Sequence, residues 1–197
     1  MQGKLIQPIS VVKYIVVLLI LLLCSTPTNV EAKSASEISI SVGPSLNFQY
    51  IMYNSENYQN RNTLGPGLSF SFDYALSNTF DVGTTVSYEY ESYKNFYSYH
   101  DLKVSVNATL NLLSESRQEP NVYLSVLLGS GVDFVFRNDG DFGAYILSRS
   151  GLILNVRMSE KTDFVFKPVF EFTFQNGSTL FHSSTVIGVR VKLGGVK

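Results

Sequence analysis

Between Phe164 and Phe174 the chain reads Phe-Val-Phe-Lys-Pro-Val-Phe-Glu-Phe-Thr-Phe, which puts Phe164, Phe166, Phe170, Phe172 and Phe174 on one face of an extended strand. The other face carries Val165, Lys167, Val169, Glu171 and Thr173. Side chains alternate across a strand with period two, so one face must meet an apolar medium while the other can hold an ion pair. A fold that accepts this segment needs either a thick apolar core on one side of a sheet or a lipid exterior.

The same alternation recurs along the chain, and no stretch has helical periodicity. It predicts eight strands, over 37–53, 64–76, 80–91, 101–112, 122–136, 143–158, 164–174 and 181–193. In the first, Ile38, Ile40, Val42, Leu46 and Phe48 oppose Ser39, Ser41, Gly43, Ser45 and Asn47. The sixth is the least regular, since Leu147 and Ile153 fall on the face opposite Ile146, Leu152 and Leu154. Residues 54–63, 92–99, 137–142 and 175–180 read as one set of connections, and 77–79, 113–121 and 159–162 as the other. An even number of strands joined too tightly for parallel crossovers is antiparallel. Pro44, Pro66 and Pro168 lie inside predicted strands, where each removes a ladder hydrogen bond and predicts a bulge.

Which face is inside follows from what the polar face is made of. It is Ser, Gly, Asn and Thr with isolated charges, the small side chains that fit the narrow lumen of an eight-stranded barrel. A solvated sandwich face would carry many Lys and Glu, yet charged residues are 16% of the chain against about 25% in ordinary soluble domains. The fold class read from the pattern is therefore all-β, an eight-stranded antiparallel up-and-down transmembrane β-barrel. The candidate lumen charges are Asp73, Asp81, Glu89, Glu91, Lys103, Asp133, Arg149, Arg157, Lys167, Glu171, Arg190 and Lys192. Both signs are present, so they can pair across the lumen and plug it. Tyr50, Tyr53, Tyr88, Tyr90 and Tyr93 near one end of their strands, and Tyr74, Phe80, Tyr123, Phe164 and Phe166 near the other, form candidate aromatic girdles at the two headgroup levels.

The N-terminus reads as an export signal. Lys4 and Lys13 precede the apolar run Tyr14 to Leu23, and Val30-Glu31-Ala32 offers a small-residue cleavage site. The run is shorter than the roughly 20 apolar residues needed to span a bilayer as a helix. Residues 1–32 are thus expected to be a signal peptide and 33–197 a barrel domain. Cys24, the sole cysteine, lies in the signal, which leaves no disulfide and no cysteine nucleophile after cleavage.

Signal, eight alternating strands and no further domain resemble the small outer-membrane barrels of the OmpA, OmpX and OmpW type, over the whole mature chain. The resemblance implies localisation in the bacterial outer membrane, with outer-membrane lipid and the barrel assembly machinery as partners. An extracellular ligand could be met through the Tyr- and Asn-rich loops. Lys and Arg are scattered singly and the formal net charge is −1, so no basic surface for nucleic acid is read.

Catalytic groups are few. His182 and Ser184 form a His-x-Ser pair on one strand face, similar to the arrangement in lipid A deacylase barrels. No acidic residue follows in the last strand to orient the imidazole, and the preferred reading is a girdle histidine beside a loop serine. His100 and Asp101 are adjacent and point to opposite faces. Asp139 and Asp141 around Gly140 are too few ligands for a calcium site and read as an ordinary turn. No catalytic residue, cofactor or metal site is assigned. The chain is expected to be a non-enzymatic, structural or surface-interacting barrel. The alternatives are a narrow porin-like pore or lateral conduit for small hydrophobic molecules, as the OmpW resemblance implies, then a soluble periplasmic lipocalin-like binder or a lipid-modifying enzyme.

Overall fold

Strands with one small-polar face and one bulky apolar face can pair edge to edge until the sheet meets itself, and closure leaves no unpaired edge. The computed structural model describes residues 37–53, 61–77, 79–92, 98–112, 122–175 and 178–195, all in the unit formed by residues 32–197. The expected signal peptide lies outside the described residues. Eight strands form a closed barrel in sequence order: β1 (Glu37–Tyr53), β2 (Arg61–Ala75), β3 (Phe80–Ser92), β4 (Ser98–Asn111), β5 (Val122–Arg137), β6 (Phe142–Arg157), β7 (Thr162–Gln175) and β8 (Ser178–Gly195). Every neighbouring pair is antiparallel, including the closing pair of β1 with β8. The chain thus runs up and down, with both described termini at one end, called here the terminal end; the opposite end is the distal end.

The residues sort inside out. Among the described residues the buried set is mostly Ser, Thr, Asn and charged side chains, whereas Leu, Val, Ile and Phe dominate the exposed one. Phe164, Phe166, Phe170, Phe172 and Phe174 of β7 all point outward, and Val165 and Val169 point inward at 3% and 0% exposure. Leu147 and Ile153, the irregular aliphatics of β6, fill the lumen; Ile153 packs with Leu127 and Val165.

The structure corrects two expectations. β8 begins at Ser178 rather than 181, so β7 and β8 join through a connection far shorter than 175–180. The prolines produce no bulge. Val42↔Val189 and Ser45↔Val186 hold one register on either side of Pro44, as Gly151↔Val169 and Leu154↔Phe166 do around Pro168. Pro66 sits where β2 leaves its ladder with β3, whose pairing starts at Gly67. A missing N–H costs a rung, and neighbouring rungs hold the alignment. The recorded register shift lies instead at Ile38/Ser39.

Close approach of β1 to β8 depends on glycine. A Cβ on Gly43 would come within 2.3 Å of the Ile187 carbonyl oxygen, and one on Gly188 within 2.4 Å of that of Val42. Neither contact could be relieved, because both are with backbone. The β5–β6 turn uses Gly140 at φ 94°, a conformation glycine adopts without penalty.

Candidate functional site

Alternation sends the polar residues of all eight strands into one narrow space, so the lumen is where chemistry converges. Its distal half is acidic. β3 contributes Glu89 and Glu91, β4 Asp101 and Lys103, β5 Asp133, β6 Arg149, β7 Glu171 and β8 His182, each 4% exposed or less. Lys103 lies at the middle of this layer, with its Nζ 2.5 Å from Glu89 Oε2 and 2.9 Å from Glu171 Oε2. Arg149 reaches Glu171 Oε1 at 3.2 Å and donates to Ser105 Oγ at 2.6 Å. Thr63 donates to Glu91 at 2.7 Å and Thr173 to Asp133 at 3.0 Å.

Toward the terminal end the charges change partners. Lys167 donates to Ser71 Oγ at 3.0 Å, Arg190 pairs with Asp73 at 3.2 Å, and Lys192 lies 3.6 Å from Asp163. Asp81 takes the Asn111 side-chain amide at 3.4 Å. Arg157 stacks its guanidinium over the Tyr123 ring at 5.1 Å, where Lys192 also lies at 5.7 Å. Asp73, Asp81, Asp133, Arg149, Arg157, Lys167, Arg190 and Lys192 are therefore divided between two layers rather than mixed at random.

His182 is the largest departure from the sequence reading. It belongs to neither a girdle nor a loop: it is fully buried, opposite Gln49 of β1 and Glu171 of β7 in register. Its Nδ1 is 3.2 Å from Lys103 Nζ and its Nε2 faces the Gln49 amide at 3.4 Å. Ser184 points inward as well, at 4% exposure. The His-x-Ser pair that resembles lipid A deacylase barrels is thus turned away from the exterior, where an acyl chain would lie. Sequence reading also omitted Asp101 and Asp163, both buried inside at 1% and 2%. Strand parity with Lys103 and Val165 carries that signal.

On the outside, Tyr88 and Tyr90 are exposed near the distal end, and the Tyr88 hydroxyl is 2.5 Å from His100 Nδ1. Phe172 and Phe181, with rings 5.3 Å apart, stand on the same surface. Phe164 and Phe166 are exposed toward the terminal end, and Tyr50, Tyr74 and Phe80 are half-buried. Tyr123 is corrected: it shares the inner face with Ser125 and Leu127, since Val122 and Leu124 take the outer one, and it belongs to the lumen. Tyr93 and the Tyr53 side chain lie outside the described residues. Arg137 bonds both Asp139 and Asp141, so the distal turn is closed by its own ion pairs.

No family model matches the sequence, and no curated protein matches it. Solved structures do. Neisserial surface protein A superposes at TM-score 0.63 with 11% identity, over 82% of this chain and all of that one. The outer membrane protein OprG from Pseudomonas aeruginosa gives 0.54 and 11%, covering 84% and 99%. Ail, the attachment invasion locus protein of Yersinia pestis, gives 0.51 and 14%, covering 80% and 99%. At such identities the likeness is one of fold: the chain has the architecture of small eight-stranded outer-membrane barrels.

Proposed function

We propose that the chain is an integral protein of the bacterial outer membrane, non-enzymatic, with a plugged lumen as its structural core and its distal loops as the working surface. The inside-out distribution of side chains carries this reading: β7 alone turns five phenylalanines outward over a buried Lys167 and Glu171. In water that exterior would be an aggregation surface, whereas in lipid it is what a barrel wall requires. The strands run from 13 residues in β3 to 18 in β8, beyond the roughly 9–11 a tilted strand needs to cross. The excess stands clear of the hydrocarbon and raises the distal loops above the bilayer, with the terminal end in the periplasm.

Ail was solved in complex with the heparin analogue sucrose octasulfate. For this chain the parallel proposal is an extracellular ligand met through residues 54–60 and 93–97, whose sequences hold Asn54, Asn57, Asn60, Tyr93 and Tyr97. A narrow conduit is the competing use of the fold. It needs an open lumen, and the fully buried Lys103 layer favours the plugged reading.

The test is electrophoresis of the detergent-extracted protein with and without boiling, followed by reconstitution in planar bilayers. Faster migration before boiling and no conductance are expected. Good solubility without detergent, with no mobility shift, would overturn the membrane assignment; steady conductance would replace the plugged lumen by the pore.

A further inference from the structure

We propose that the distal half of the lumen binds one divalent transition-metal cation through Glu89, Glu91, Asp101 and His182. One ligand atom from each of the four lies within 4.8 Å of the others, and each residue is 1% exposed or less. Three observations point to a missing positive charge at this place.

The first is Asp101. It is buried at 1% exposure, and neither of its carboxylate oxygens has a hydrogen-bond partner; the same is true of Oε1 of Glu91 beside it. A buried carboxylate without hydrogen-bond donors is costly to hold in its charged form. The second is register. Glu89 and Asp101 are directly opposed on β3 and β4, and like charges so placed repel. The third is the local charge count: Glu89, Glu91, Asp101, Asp133 and Glu171 face Lys103 and Arg149. Lys103 is already bonded to Glu89 and Glu171, and Arg149 to Glu171 and Ser105, so neither cation is committed to Asp101 or Glu91.

The donor set selects the ion. An imidazole nitrogen with three carboxylates suits Mn2+, Fe2+ or Zn2+, while calcium takes an all-oxygen shell of six to eight ligands. Among the described residues no cysteine offers a thiolate to favour softer metals. Coordination would neutralise the Asp101 carboxylate and the unpartnered Oε1 of Glu91, and tie β3, β4 and β8 together across the lumen. The inference rests on the fold and the lumen geometry, and holds whichever ligand the loops meet.

The experiment uses the full chain extracted in detergent, stripped with a chelator and titrated with Mn2+ under electron paramagnetic resonance. One tightly bound Mn2+ per chain is expected, with nitrogen coupling from an imidazole. Asp101→Asn should weaken binding about tenfold or more, and His182→Gln should abolish the nitrogen coupling. Asp141→Asn, in the distal turn, should change neither. Migration before boiling reports whether each variant folds. If the lumen variants do not fold, the wild-type spectrum decides: bound Mn2+ with nitrogen coupling supports the site, because the sole other histidine, His100, faces outward to Tyr88, and its sensitivity is checked with His100→Gln. No binding at millimolar Mn2+, binding without nitrogen coupling, or coupling lost in His100→Gln would overturn the proposal.

Discussion

Lys103 donates to Glu89 and to Glu171 from a position with no solvent exposure. Deleting one partner of such a group leaves the others charged and buried, at a cost of about 3–5 kcal/mol. Lys103→Met should therefore lower the temperature at which the unboiled band converts to the boiled one, and adding Glu89→Gln should recover part of the loss. An unchanged conversion temperature would mean the layer is solvated. Arg137 supplies the contrast, because its pairs with Asp139 and Asp141 are partly exposed; Arg137→Ala should cost less than about 1 kcal/mol in the same assay. The residues that sequence reading misassigned share one cause. Asp101, Asp163 and His182 each lie within one residue of the strand start the alternation suggested, while the strands begin at Ser98, Thr162 and Ser178. Ser178 to His182 reads Ser-Thr-Leu-Phe-His, with Leu180 and His182 buried, so polarity does not mark the faces there. Pairing with the neighbouring strand, rather than the segment's own pattern, extends the ladder to these residues.

At the scale of elements, β7 was plainly legible because both its faces are extreme, whereas β6, expected over 143–158 and found at Phe142–Arg157, stood out less because Leu147 and Ile153 make part of its inner face apolar. Along the β5–β7 wall the lumen takes aliphatic packing, with Leu127, Ile153 and Val165 in one cluster. Phe170 stands outside, 45% exposed. Phe170→Lys should destabilise the folded barrel by about 2–4 kcal/mol if that surface lies near the bilayer midplane, and by far less near an interface. Equilibrium unfolding in lipid vesicles measures the difference. The β1–β8 contact is sensitive for another reason. A side chain on Gly188 would strike the Val42 carbonyl, so Gly188→Val should reduce the heat-resistant fraction sharply, whereas Gly140, with nothing within 4 Å of a built Cβ, pays only for its positive φ.

For the whole molecule, strand number and antiparallel order follow from period-two alternation joined by short connections, and the inside-out arrangement follows from a polar face made of small, sparsely charged side chains. The segregation of charge does not. That the distal layer gathers Glu89, Glu91, Asp101, Asp133 and Glu171 around Lys103 and Arg149, while Arg157, Lys167, Arg190 and Lys192 meet Asp73, Asp81 and Asp163 toward the terminal end, depends on how each strand is slid against the next. The seam between the first and last strands governs time as well as shape. Ser39 pairs with Lys192, so the closing ladder joins the two ends of the barrel sequence, and its loop entropy is recovered only when the other ladders have aligned. Assembly should be slow and late-zipping, and disassembly must reopen that same ladder against lumen and exterior at once. A molecule built this way shows hysteresis: the denaturant that unfolds it lies well above the concentration at which it refolds, and its lifetime is set by a barrier rather than by a balance.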